Sequence, residues 1–172
     1  MTTADQLERF LELSAEVTAF STFDLQGTGQ AEAYLSSVTN VVGEEVLGEL
    51  LDAYGRARDE YADDSEARAR LLYRDIFSSE KLGPIARNII KLWYAGVWCE
   101  LPPEWTESFG AVENDVTFVV SPTAYTEGLL WRAIGATPHG AKAPGYGSWA
   151  VPPRIPPIPG DETPVTTPSQ GR

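Results

Sequence analysis

Pro84-Ile85-Ala86-Arg87-Asn88-Ile89-Ile90-Lys91-Leu92-Trp93-Tyr94-Ala95-Gly96 is the stretch whose spacing decides the architecture. A proline suits the first turn of a helix, where its missing N–H has no intrahelical acceptor to lose. Ile85, Ile89, Leu92 and Trp93 then recur at helical period and form one continuous apolar face. The apolar run extends through Val97 and stops at Pro102-Pro103. A stripe of this width is stable only when other elements cover it, so the rest of the chain must supply them.

Working upstream, the supply is helical. Thr3 followed by Gln6 reads as a capping box, and Leu7, Phe10, Leu11, Ser14 and Val17 keep helical spacing, with Asp5, Glu8, Glu12 and Glu16 on the opposite face. After the Gly27 and Gly29 break, Ala31, Tyr34, Leu35, Val38, Val41 and Val42 repeat the period. Gly43 separates this second helix from a third, whose stripe is Val46, Leu47, Leu50, Tyr54 and Ala57. A fourth, over about 65–77, contributes Leu71, Leu72, Ile76 and Phe77.

Downstream the signals thin. Residues 104–120 read as irregular except for Val116 to Val120, an apolar run too short to separate a strand from a helix end. Ser121-Pro122 reads as the cap and first turn of a sixth helix that Gly135 ends, with Tyr125, Leu129, Trp131 and Ile134 on its apolar positions. The expected fold class is therefore all-α, a bundle of about six helices over residues 1–135. Residues 136–153 read as an extended Pro/Gly/aromatic arm, and 154–172 as a proline-rich disordered tail, since residues 151–172 hold seven of the thirteen prolines.

The charge is lopsided. The 172 residues carry a formal net charge of -12, and residues 1–66 account for all of it, with 15 acids against 3 bases. Such a surface repels phosphate backbones and anionic lipid, which argues against nucleic-acid and membrane-surface functions. The acidic half is either a solvated set of helix faces or a docking face for a basic partner. No stretch approaches the roughly 20 apolar residues of a bilayer span. The N-terminal residues lack the basic and apolar regions of an export signal, so a cytoplasmic location is expected, with periplasmic co-export on a signal-bearing partner as the alternative.

Candidate chemistry is sparse. One histidine, His139, and one cysteine, Cys99, exclude the commonest zinc sites, relays and any intrachain disulfide. Cys99 sits in an apolar setting whose nearest charge is Glu100, which reads as a buried, inert thiol. The pairs Glu44-Glu45, Asp59-Glu60 and Asp63-Asp64 lie on polar faces or in a turn, and Asp63-Asp64-Ser65-Glu66 lacks the glycine and spacing of a calcium loop. Gly145-Tyr146-Gly147 lacks the third glycine and preceding strand of a phosphate cradle. No catalytic, cofactor-binding or metal-binding residue is therefore assigned.

What stands out is aromatic. All five tryptophans lie in the C-terminal half, and Trp149 with Tyr146 falls where no periodic element would bury them, as anchors against another surface do. Ile89-Ile90-Lys91-Leu92-Trp93-Tyr94-Ala95-Gly96 resembles the Leu-Trp-Tyr-x-Gly helix of small subunits of bacterial membrane-bound FAD-dependent sugar and polyol dehydrogenases, the sorbitol dehydrogenase-family small subunits. Tyr125 to Trp131, followed by Ala143-Pro144-Gly145-Tyr146-Gly147-Ser148-Trp149-Ala150-Val151-Pro152-Pro153, resembles their C-terminal signature. The likeness extends over residues 4–153 and takes in the gamma subunit of FAD-dependent glucose dehydrogenase and the fructose dehydrogenase small subunit.

The resemblance implies that this chain carries no cofactor. In that family the flavin, the iron–sulfur cluster and the catalytic histidine belong to the large subunit, and haem to a separate cytochrome. The small subunits assist folding, stability and export of the flavoprotein, commonly with a twin-arginine leader that this sequence lacks. The resemblance thus implies a non-catalytic subunit whose partners are a large FAD-containing GMC-type dehydrogenase subunit and a cytochrome c subunit. The expected partner-binding residues are Trp93, Tyr94, Tyr125, Trp131, Tyr146 and Trp149. The alternative is an independent small enzyme or ligand-binding protein with a pocket between helices near Trp93, Tyr94 and Trp131.

Overall fold

A computed structural model describes residues 3–110 and 112–138. Helix α1 (Thr3–Thr18) ends where Ala19 takes a positive φ of 60°. A short helix α2 (Thr22–Gly27) follows, started by a capping box in which the Ser21 hydroxyl accepts from the Asp24 N–H and the Asp24 carboxylate accepts from the Ser21 N–H. Sequence reasoning gave no helix here. Helix α3 (Ala31–Glu60) is broken at Gly43, whose φ of 81° and ψ of 161° only glycine adopts without strain. The separation expected at Gly43 is thus a sharp kink between two abutting rods.

Asp64 caps α4 (Ser65–Leu72), its side chain accepting from the Ala67 N–H at 2.9 Å. The helix continues into a π-helical turn, Tyr73–Phe77, closed by the Ser78 N–H on the Tyr73 carbonyl at 2.9 Å. Helix α5 (Leu82–Ala95) has Pro84 in its first turn and ends at Gly96, which is left-handed at φ 70° and returns its N–H to the Leu92 carbonyl. The apolar run through Val97 therefore outlasts the helix: Val97–Trp98 form strand β1.

Residues 104–120 are more ordered than expected. Pro102-Pro103, which ends the preceding apolar run, also starts α6 (Pro103–Phe109), with proline in the first turn. The ambiguous run around Val116 to Val120 contains strand β2 (Phe118–Val119), antiparallel to β1 with Val97 opposite Val119 and Trp98 opposite Phe118. The expected sixth helix is two: α7 (Pro122–Glu127) and α8 (Leu129–Ala133), divided at Gly128. The class is all-α with a minimal two-stranded ribbon, and the helix tally exceeds the six expected.

The core lies where α1, α3 and α5 meet. The Trp93 ring on α5 stacks on Phe10 of α1 at 6.4 Å between centroids and takes Tyr34 of α3 edge-on at 4.9 Å. Leu13, Leu47, Leu50, Leu51, Ile85 and Ile89 are fully buried around this junction. Among the described residues, no helix is long and apolar enough to cross a membrane. Of the expected arm over 136–153, residues 136–138 carry no helix or strand, and its remainder and the proline-rich tail lie outside the described residues.

Candidate partner-binding site

Two glycines bring the end of α5 against the α7–α8 junction. A Cβ on Gly96 would lie 2.7 Å from the Ala124 Cβ, and one on Gly128 would lie 2.7 Å from the Tyr94 carbonyl oxygen. Neither approach leaves room for a side chain. The segment Ile89 to Gly96 and the segment Tyr125 to Trp131, distant in sequence, are therefore neighbours in space. Ser121 caps α7 by accepting from the Ala124 N–H at 3.0 Å. The Trp131 indole N–H donates to the Tyr125 carbonyl at 2.7 Å, and the two rings meet edge to face at 5.3 Å.

The same corner ties α2 to α8. The Tyr94 hydroxyl donates to the Thr18 carbonyl at 3.0 Å, and Phe20 meets the Tyr94 ring edge-on at 6.1 Å. The Arg132 guanidinium lies 5.4 Å from the Phe20 ring centroid and pairs with Asp24 at 2.7 Å. The Ser21 hydroxyl, and after it Arg132, hold the Asp24 carboxyl below its usual value.

The expected binding residues separate by exposure. Trp93, expected to bind a partner, is 1% exposed and packs into the core. Its indole N–H has no acceptor among the described residues, which is consistent with a position chosen for packing. Tyr94 and Trp131 are half-buried, Tyr125 is 41% exposed, and Leu130 and Ile134 beside them are exposed too. Tyr146 and Trp149 lie outside the described residues. Sequence reasoning missed Phe23, which is 82% exposed on α2. The Ser21-x-x-Asp24 spacing was the signal that would have located its helix.

Reactive chemistry does not gather at this corner. The carboxylates of Glu44, Glu45, Asp59, Glu60, Asp63 and Asp64 are all exposed. Among the described residues, no group of three or more His, Cys, Asp or Glu is placed to hold a metal ion. Cys99 is half-buried rather than buried, and its backbone N–H and carbonyl are both held by the side chain of buried Asn88, at 3.3 and 2.7 Å. His139 lies outside the described residues. Among the described residues, three grooves have linings that include none of Trp93, Tyr94 and Trp131. One, about 360 Å³, runs between α1 and α2. A second, about 190 Å³, lies between α2 and the α7–α8 corner, and a third, about 170 Å³, between α5 and the loop at Glu100 to Pro102.

The chain matches no protein-family model, and neither curated proteins nor solved structures contain a match to it.

Proposed function

We propose that this chain is a non-catalytic small subunit that binds the FAD-containing catalytic subunit of a sugar or alcohol dehydrogenase and stabilises its fold. One observation carries the reading. The two segments that resemble the family's signatures pack on each other through Gly96 and Gly128, and their shared corner exposes Tyr125, Leu130 and Ile134 beside half-buried Trp131. An aromatic and aliphatic face of this composition matches the buried core of a protein interface better than ordinary solvent-facing surface. The Ala143–Pro153 signature follows a few residues later in the chain. Its prolines lower the entropy lost on docking, and its glycines allow close approach.

Affinity purification of the tagged chain from its native host is the test. A larger, flavin-coloured chain is expected to co-purify, and a monomer with turnover of its own would refute the reading. Trp149→Ala is expected to weaken recovery of the flavoprotein by roughly 2 kcal/mol while leaving the melting temperature of the isolated chain nearly unchanged. Recovery at the wild-type level with a collapsed melt would make Trp149 a core residue instead.

A further inference from the structure

Helix α2 is fastened more firmly than six residues require. A capping box starts it, Leu25 is fully buried beneath it, and the Asp24–Arg132 pair ties it to α8. Even so it holds Phe23 almost wholly in solvent. On the other flank of α2, Thr22 and Gln26 form one wall of the groove whose opposite wall is α1. Its floor is apolar, from Ala4, Leu7 and Leu11, and its rim carries Glu8 and Glu12.

The charges select the occupant. The groove belongs to the half of the chain with 15 acids and 3 bases. Glu12 already pairs with Arg58, whereas Glu8 has no ion-pair partner among the described residues. A second copy would bring the same acidic rims together, and a nucleic acid would be repelled. Along α1 the lining positions Ala4, Leu7, Glu8, Leu11 and Glu12 repeat at helical spacing over roughly 12 Å, the length of about two turns of an accommodated helix.

We propose that the α1–α2 groove is a docking site for a basic amphipathic helix of a protein partner. Apolar side chains of that helix seat on Ala4, Leu7 and Leu11, and its Lys or Arg side chains meet Glu8 and Glu12. The inference goes beyond the subunit reading and holds for a partner of any activity.

The full ¹⁵N-labelled chain is titrated with a synthetic amphipathic Leu/Lys peptide of about 14 residues, roughly four turns, and with the same peptide carrying Glu for Lys. Amide shifts confined to residues 4–12 and 22–26, from the Lys peptide alone, are the expected result. Ala4→Trp, which fills the groove, should weaken binding about tenfold and Glu8→Lys about threefold, whereas Phe23→Ser, on the opposite flank of α2, should leave it unchanged. All three positions are exposed, so unchanged melting temperatures verify the fold. Absent binding, shifts spread over the acidic faces of α3 and α4, equal binding of the Glu peptide, or indifference to Ala4→Trp and Glu8→Lys would overturn the proposal. So would contacts in the free chain between Leu7 or Leu11 and residues 139–172, which would make the chain its own occupant.

Discussion

The N-terminal helices are stitched by charge and the C-terminal elements by tryptophan. Between α1 and its neighbours run Arg9–Asp52, Arg58–Glu12 and Arg68–Glu16, all partly exposed. Beyond α5, three indole N–H groups do the fastening. Trp98 donates to the Asp115 carboxylate at 2.9 Å, Trp105 to the Lys81 carbonyl at 2.8 Å and Trp131 to the Tyr125 carbonyl at 2.7 Å. Asp115 also accepts from the Leu101 N–H, at 3.0 Å, closing the loop after β1. The difference follows from the local backbone. Long helices satisfy their own hydrogen bonds, so side chains need only set their mutual orientation, and exposed ion pairs worth about 0.2–1 kcal/mol suffice. Short helices and a two-residue ribbon leave many backbone groups without a ladder, and a buried ring that also donates one hydrogen bond both fills space and anchors a loop.

Substitutions on the two sides test that contrast. Trp98→Ala is expected to cost the most, about 3–5 kcal/mol by urea unfolding, because a fully buried ring is lost and Asp115 loses a donor. If Trp98→Ala cost no more than a surface ion pair, the contrast would fail. Gly128→Ala follows at about 1–3 kcal/mol, since its Cβ would press on the Tyr94 carbonyl oxygen and force α7 from α5. Faster amide exchange in α8 than in α1 would show that the damage stays local.

Tyr54 probes the charged side by pH. Burial, and after it the Glu16 and Glu12 carboxylates, push its phenol up to about 12, against the opposing effect of Arg58 and Arg68. An unfolded tyrosine titrates near 10, so the folded chain holds this proton more tightly. That contribution is complete below about pH 10 and is lost as pH rises towards 12. The stability of Tyr54→Phe relative to the parent should therefore be flat below pH 10 and improve above it. A constant difference across that window would refute the shift. Smallest of all, Arg68→Ala should cost about 1 kcal/mol and Arg70→Ala no more than about 0.3 kcal/mol, because the Arg68–Glu16 pair is largely shielded and the Arg70–Glu66 pair is not. One-molar salt should erase the Arg70 effect first.

Periodicity and glycine made much of the fold legible. The stripe from Leu7 to Val17, the break at Gly43 and the start at Ser121-Pro122 all follow from short-range rules. What escaped depends on distant partners or on very few residues. Six residues are too few for a helical stripe, so α2 was visible only through Ser21 and Asp24. Pro102-Pro103 reads equally as a stop and a start, and α6 turns it into a start once Trp105 is buried. The break at Gly128 is dictated by the Tyr94 carbonyl, which no local pattern encodes. For the candidate site, helical period placed Trp93 on the apolar face of α5, whereas the rings that cover it, Phe10 and Tyr34, come from elements distant in sequence that no local pattern pairs with it.

The π turn at Tyr73–Phe77 bears on inheritance. Its closing bond reaches back five residues, where an α-helix reaches back four, so the segment holds one residue more than an α-helical turn needs. Elsewhere in a helix, losing one codon rotates every later side chain by about 100° and turns an apolar face to water. Here the loss of exposed Arg74 would let the turn close with ordinary α-helical bonds, leaving Leu71 and Leu72 on one side and Ile76 on the other still directed inward. The loss of that one codon is therefore expected to leave the core's inward faces in register.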